Sequence, residues 1–352
     1  MYGQPFRLTF KGQNFLIKYL NNLQFRTFKT KIGAFVTAII LMSVISFLVY
    51  KLNILFGRSD NKTSRFVINE ASLDNPEMID VNKLGFDIAF GGYEDIDPKY
   101  GSVKVSKFTK VRQFNKTTGQ FDEDVEIVKC GYENFNYPRK NESAYQDVSI
   151  LFCIKDKSFL RLGGAWTTNR LEQINICLQP CENTTTSKNC ASKKQQDEFF
   201  SMVDFQLRFV NQYFDFADMN NPVKSFIEDR YFIPVIPDQQ KGMDIFIKKA
   251  QGKLNDNFIP FVPQQDLKFA LVENFKMYTA RLDYYGKCFA KFSLRMDLES
   301  DLYTRQVYTF SDMLSDLGGI YSSLFALGAI LTNNYKNNIG LKTKKYIPQV
   351  CS

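Results

Sequence analysis

The sequence predicts a mainly β fold, a β-sandwich-like exoplasmic domain between two transmembrane α-helices, and three observations carry that prediction. Two stretches, Ile32 to Tyr50 and Leu317 to Thr332, hold no charged residue. Unopposed positive charges sit outside both of them. Between them, several segments alternate apolar and polar residues with the period of a strand.

The first stretch is 19 residues long. At about 1.5 Å rise per residue it covers roughly 28 Å as a helix, enough for a hydrocarbon core, and its backbone would satisfy itself inside lipid. The second stretch, of 16 residues, is a marginal span, somewhat longer with Asn333 to Tyr335 at headgroup level. Residues 1–31 then read as a basic cytoplasmic tail, 32–50 as the first span and 51–308 as the exoplasmic β-rich domain. Residues 309–333 form the second span with its entry turn, and 334–352 a second basic tail.

Charge is distributed to match. Arg7, Lys11, Lys18, Arg26, Lys29 and Lys31 precede the first span, and Lys336, Lys342, Lys344 and Lys345 follow the second, with no acidic residue among them. The chain's formal charge is +8, so residues 32–332 carry a small net negative charge. Basic flanks predict that both termini face the cytoplasm and lean on the lipid bilayer. Nucleic acid is not an expected partner, because the basic residues avoid the large domain. Within the first tail, Phe15, Leu16, Tyr19, Leu20 and Leu23 recur at helical spacing, as in a short interfacial helix. The late start of the apolar run predicts a retained signal-anchor, in a membrane of the secretory pathway or at the cell surface. The acid-free amphipathic start also fits a mitochondrial inner-membrane protein.

Cys130, Cys153, Cys177, Cys181, Cys190 and Cys288 lie between the spans, an even number that predicts disulfides in an oxidising compartment. The most local pair, Cys181 with Cys190, would close the polar loop Glu182 to Asn189. Asn61, Asn115, Asn141 and Asn183 stand in glycosylation sequons in the same region, although a chain this rich in Asn, Ser and Thr produces several by chance.

The strands are read from alternation. Val203, Phe205, Leu207 and Phe209 form one such run, and Phe292, Leu294, Met296 and Leu298 another. Val148, Ile150, Phe152 and Ile154 repeat the pattern, as do Ile174, Ile176 and Leu178. Several strands with polar turns predict a sandwich, with many of the 34 Phe residues filling its core. Asn220 to Arg230 reads as a short helix, Glu182 to Asp197 as a polar excursion, and Gly163-Gly164 before Trp166 as a turn.

Nothing in the sequence points to catalysis. There is no histidine, which removes the commonest general base and metal ligand. Phosphate loops, nucleophile elbows and metal motifs are missing too, so the expectation is a non-enzymatic protein without catalytic, metal or cofactor residues. The most suggestive constellation opens the second span. Asp312 and Asp316, four apart, share a helix face that Gly319 and Ser323 extend, while Gly318, Ser322 and Ala326 make a second small-residue stripe. In a cyclic oligomer the carboxylates could ring a cation path. The simpler reading is a helix N-terminus, with Ser311 as its cap, and small residues packing against Gly33, Thr37 and Ser43 of the first span.

Tyr2-Gly3-Gln4-Pro5 with Leu8 and Phe10, then Thr30, Gly33 and Thr37, resembles the start of a large set of uncharacterised two-span membrane proteins of ciliates. Tyr303, Arg305 and Tyr308, then Leu314, Leu317, Gly318, Gly319 and Ile320, are similar to their closing segment. That resemblance implies a topology and no activity. The Thr30 to Thr37 spacing and the Gly318-Gly319 pair are also similar to ERGIC and Erv-type cargo receptors, which implies a luminal β-sandwich. The run Leu314-Ser315-Asp316-Leu317-Gly318-Gly319 with Gly328-Ala329 resembles the second span of degenerin-type sodium channels, without the Ser that follows in that family. The functions expected are therefore binding of a protein or other ligand, as receptor, cargo adaptor or assembly component; a subunit of a homo-oligomeric cation channel; or a structural subunit of a mitochondrial inner-membrane complex.

Overall fold

The computed structural model describes residues 31–69, 76–113, 116–138, 148–183, 189–259, 262–282 and 288–344. The predicted interfacial helix, Asn115, Asn141, Cys351 and the end of the second basic tail lie outside these residues. In chain order the elements are α1 (Lys31–Gly57), β1 (Asn61–Asn69), β2 (Ile79–Asp80), β3 (Ile88–Gly91), β4 (Gly101–Gln113), β5 (Lys116–Asp124), β6 (Ile127–Lys129) and β7 (Phe152–Ile154). There follow β8 (Arg161–Leu162), β9 (Arg170–Pro180), α2 (Lys193–Phe200), β10 (Asp204–Phe214), β11 (Val223–Pro234), β12 (Gln239–Asn255), β13 (Gln265–Arg281), β14 (Ala290–Val307) and α3 (Phe310–Lys344). Two units result: residues 60–307, and the two ends of the chain with α1 and α3.

The unit 60–307 is a β-sandwich. Its larger sheet runs β13-β12-β14-β9-β4-β5, and its smaller sheet β11-β10-β3-β7-β6. β14 organises the larger sheet: β12 runs parallel along one edge, while β9 and then β1 pair antiparallel along the other. Alternation sends one face of each strand inward. Phe90, Phe205 and Phe209 of the smaller sheet pack with Ile176, Ile245 and Phe292 of the larger, all of them fully buried. Phe205 and Phe292 bring their ring centroids to 5.4 Å. Each such side chain contributes roughly 1.5–3 kcal/mol by leaving water.

Four local expectations are corrected. Residues 220–230 do not form a helix. Asp218 accepts hydrogen bonds from the Asn220 and Asn221 N–H groups, each at 2.9 Å, which makes a turn, and Val223–Pro234 then pairs with β10 as β11. Of the run 148–154 only Phe152–Ile154 is a strand; Val148 and Leu151 close a turn and Ile150 is left exposed. The polar excursion ends in a helix, α2, whose Ser192 and Gln195 form a capping box. Leu298 also leaves the core face, next to a bulge between Ile247 and Lys249 that shifts the pairing of β12 with β14.

The other unit pairs two helices that are long and apolar enough to cross a membrane, Gly33–Gly57 and Phe310–Leu331. α1 extends past the predicted end at Tyr50, because Leu52 and Leu55 continue the stripe that packs on Tyr308 and Met313. It stops where Gly57 leads into Arg58 at φ 47°. α3 likewise runs through much of the predicted basic tail, to Lys344. The helices meet where Val36 and Ile40 of α1 lie against Gly328 of α3. At Gly328 a Cβ would come within 2.9 Å of Ile40 Cδ1, so the helices pass close together there.

Candidate functional site

At the start of α3 the structure gives both candidate carboxylates partners. Asp312 Oδ2 accepts from the Thr309 N–H at 2.9 Å and from its hydroxyl at 2.6 Å, and the Asp312 N–H donates back to Thr309 Oγ1 at 3.2 Å. Thr309, not Ser311, is therefore the cap, because only Thr309 precedes the first helical turn. Asp316 accepts from Tyr308 Oη at 2.6 Å and pairs with Lys51 Nζ at 2.6 Å. Burial, followed by the hydrogen bond to Asp316, pushes the Tyr308 phenol up to about 12. Gly318, Gly319, Ser322, Ser323 and Ala326 all lie on the exposed side of α3. A Cβ on Gly318 or Gly319 would meet nothing among the described residues. Thr37 and Ser43 are exposed as well, and it is Gly328 that lies against α1.

The six cysteines pair as Cys130–Cys153, Cys177–Cys288 and Cys181–Cys190. Cys177–Cys288 ties β9 to the approach of β14. Of the sequon residues described, Asn183 is exposed inside the Cys181–Cys190 loop, whereas Asn61 starts β1 with its amide oxygen buried.

The sandwich carries a cleft that no single stretch of sequence announces. It lies on the face of the larger sheet turned away from the core and has a volume of about 720 Å³. Cross-strand register builds its floor. Asp244, Ser293, Asn175 and Ser106 stand side by side on β12, β14, β9 and β4. One row along, Gly242, Lys291 and Cys177 do the same. Tyr278 lies opposite Gly242, and its ring occupies the space that a Cβ there would need.

The sheet is strongly coiled around this floor. Asp122 on β5 and Tyr278 on β13 belong to opposite edges, which lie roughly 24 Å apart in a flat six-strand sheet, yet both line the cleft. Lys291, on the central β14, accordingly feels both Asp244 and Asp122. Burial lowers the Lys291 ammonium from its ordinary value, and those two carboxylates pull it back only in part. The Gly163-Gly164 turn sets Trp166 at the rim, 47 % exposed, with its ring 5.6 Å from Phe108. Lys110 donates to the Trp166 carbonyl from beneath and holds that turn.

Hydrogen bonds link the floor. Gln173 Nε2 donates to Asn175 Oδ1 at 3.0 Å, and Ser293 Oγ meets the same oxygen at 3.2 Å. Gln173 is only 5 % exposed, and its Oε1 has no hydrogen-bond partner. The Arg295 Nε is likewise unpartnered, while its Nη1 lies 3.4 Å from Asp244 Oδ2. A buried amide oxygen without a partner costs about 1–3 kcal/mol. Sequence reasoning missed this site because its residues are scattered from Phe108 to Arg295 on strand faces that read as ordinary solvated ones. The single Trp beside a Gly-Gly turn and the amides of Gln173-Ile174-Asn175 were the available signals.

The family model described as the uncharacterised 80 kDa protein N-terminal domain matches residues 79–297, which contain every residue of the cleft. No curated protein matches the chain. Among solved structures, the chain is similar to the cryo-EM structure of a proton-activated chloride channel, with 11% identity over 88% of this chain and 96% of that one, at a TM-score of 0.31. It is also similar to the crystal structure of Erv41p, with 6% identity over 68% of this chain and 99% of that one, at a TM-score of 0.25. Superpositions this loose carry no argument about function. The family match spans well over half of the sequence, and the chain belongs to the family of the uncharacterised 80 kDa protein N-terminal domain.

Proposed function

We propose that this is a two-span membrane protein of the secretory pathway or cell surface that acts by binding, with both termini cytoplasmic and the cleft on the outer face of its sandwich as the recognition site. Two exposed apolar helices and three disulfides support a membrane protein with an oxidised exoplasmic domain. One observation carries the binding role: a cleft of about 720 Å³, within the range of small-ligand sites, is floored by the hydrogen-bonded side chains of Gln173, Asn175 and Ser293. The cleft offers acids, bases and amides but no nucleophile–base pair, which favours recognition over catalysis. A photo-crosslinking amino acid in place of Asp122, at the rim, tests the proposal in cells. A discrete adduct that Gln173→Leu suppresses is expected, with none from the same group at Glu126. If Asp122 yields no adduct, the binding reading fails.

A second reading, a subunit of an oligomeric cation channel, draws on the exposed small-residue side of α3, where a second copy could pack closely. Purified protein in planar bilayers tests it. A cation current that falls in Asp316→Asn supports the channel, and silence of the wild type refutes it.

A further inference from the structure

Resting on the proposal that the cleft is a recognition site, we infer that its ligand is a neutral saccharide, one or two pyranose rings of an exoplasmic glycan. Three features of the cleft converge on that chemistry. The first is its walls. Trp166 and Phe108 stand on one side and Tyr278 on the other, so aromatic faces border a polar floor. A pyranose has the complementary build: C–H groups on its ring faces, which pack against aromatic surface, and hydroxyls around its rim.

The second feature is the floor. Each sugar hydroxyl both donates and accepts, so a site for adjacent hydroxyls needs donors and acceptors side by side in fixed geometry. Asn175, Ser293 and Asp244 bring amide, hydroxyl and carboxylate groups to the cleft, and Lys291 and Arg295 bring donors. Between them the Gln173, Asn175 and Ser293 hydrogen bonds hold the amide planes in place. An apolar ligand would strip water from these groups without replacing its hydrogen bonds, whereas a hydroxyl would replace them.

The third feature is charge. Lys291 and Arg295 are balanced by Asp244 and Asp122 in the same cleft. A phosphate or polyanion would meet the two carboxylates and a polycation the two bases, so the balance selects against both. A neutral polyhydroxy ligand draws charge-assisted hydrogen bonds from either sign.

Trp166 is the only tryptophan in the chain, so its emission reports on the cleft alone. The test titrates the full chain in detergent with neutral methyl pyranosides and with the neutral core pentasaccharide of N-linked glycans. A saturable change in Trp166 emission is expected, weakened at least tenfold by Gln173→Leu and about threefold by Asp122→Asn, an exposed edge-strand position whose change does not threaten folding. If no saccharide changes the emission while the Asp122 crosslink still forms an adduct that glycosidase leaves unaltered, the saccharide inference is overturned and the binding proposal stands. Silence in both experiments overturns both.

Discussion

Lys51 on α1 and Asp316 on α3 form an ion pair, Nζ to Oδ2 2.6 Å, and Tyr308 donates to the same carboxylate oxygen. The Lys51 ammonium also lies 4.8 Å from the centre of the Tyr308 ring. One acidic group that reads from sequence as a pore carboxylate is thus neutralised by the partner helix, at the end where the spans open.

Asp316→Asn will lower the melting temperature of the detergent-solubilised chain, because Lys51, with its side chain 15% exposed, loses its counter-charge. The carboxylate side chain is 40% exposed. The cost therefore falls to about 1–2 kcal/mol, below the ~3–5 kcal/mol of a fully buried pair. Lys51→Met combined with Asp316→Asn should recover most of the loss. A double-mutant cycle checks this, and additive effects would deny the coupling.

A second ionic cluster joins β1, β12, β13 and β14. Asp301, fully buried at its side chain, accepts from Arg65 Nε at 2.8 Å, and Lys248 lies within 3.3–3.4 Å of Glu299, Glu273 and Asp301. Lys248→Met leaves Asp301 and Glu273 to Arg65 and Glu299 without its cation, and, with Glu273 and Glu299 38% and 45% exposed, it is expected to cost about 1–3 kcal/mol. Adding Glu273→Gln should restore part of it. Thermal melts of the single and double variants decide the point.

Most of the sandwich was legible because alternation is local. Phe205, Leu207 and Phe209 announce their strand within five residues. Residues 220–230 misled because Asn-Asn-Pro opens helices and hairpin turns alike, and the choice fell to pairing with β10, a tertiary interaction. The cleft was illegible for a stronger reason. Asp122 and Tyr278 come together only through the coiling of a whole sheet, and no window of sequence encodes that curvature. Thr309 was missed as a cap because the helix begins before the apolar run that marks the span.

The disulfides should differ in weight. Cys177 and Cys288 are 111 residues apart, Cys181 and Cys190 only 9. Loop-closure entropy assigns about 4–5 kcal/mol to the long bridge and about 2–3 kcal/mol to the short one. Cys177→Ser with Cys288→Ser should therefore lower the melting temperature more than Cys181→Ser with Cys190→Ser. It should also disturb ligand response at the cleft, since Cys177 pairs in register with Lys291. Equal melting shifts would mean that the unfolded chain is already restricted.

Acid should weaken the sandwich through Glu172. Burial pushes its carboxyl up, but Lys107 Nζ at 2.8 Å and the Arg170 guanidinium outweigh burial and hold it below the ordinary carboxylate range. A carboxyl lowered in the folded state releases its proton on folding, so its stabilisation is complete above the unfolded value near 4.3 and is lost as pH falls through the folded value. Asp218, held at about 2 chiefly by the Asn221 N–H and Lys224, adds to the same trend toward pH 2. Asp87 opposes it, because burial raises its carboxyl despite Lys157. Comparison with Glu172→Gln isolates the term. The variant should melt lower than wild type at pH 7, and the gap should close as pH falls through and below the ordinary carboxylate range. A gap that stays constant across that window would show that Glu172 stabilises the sheet by packing rather than by charge.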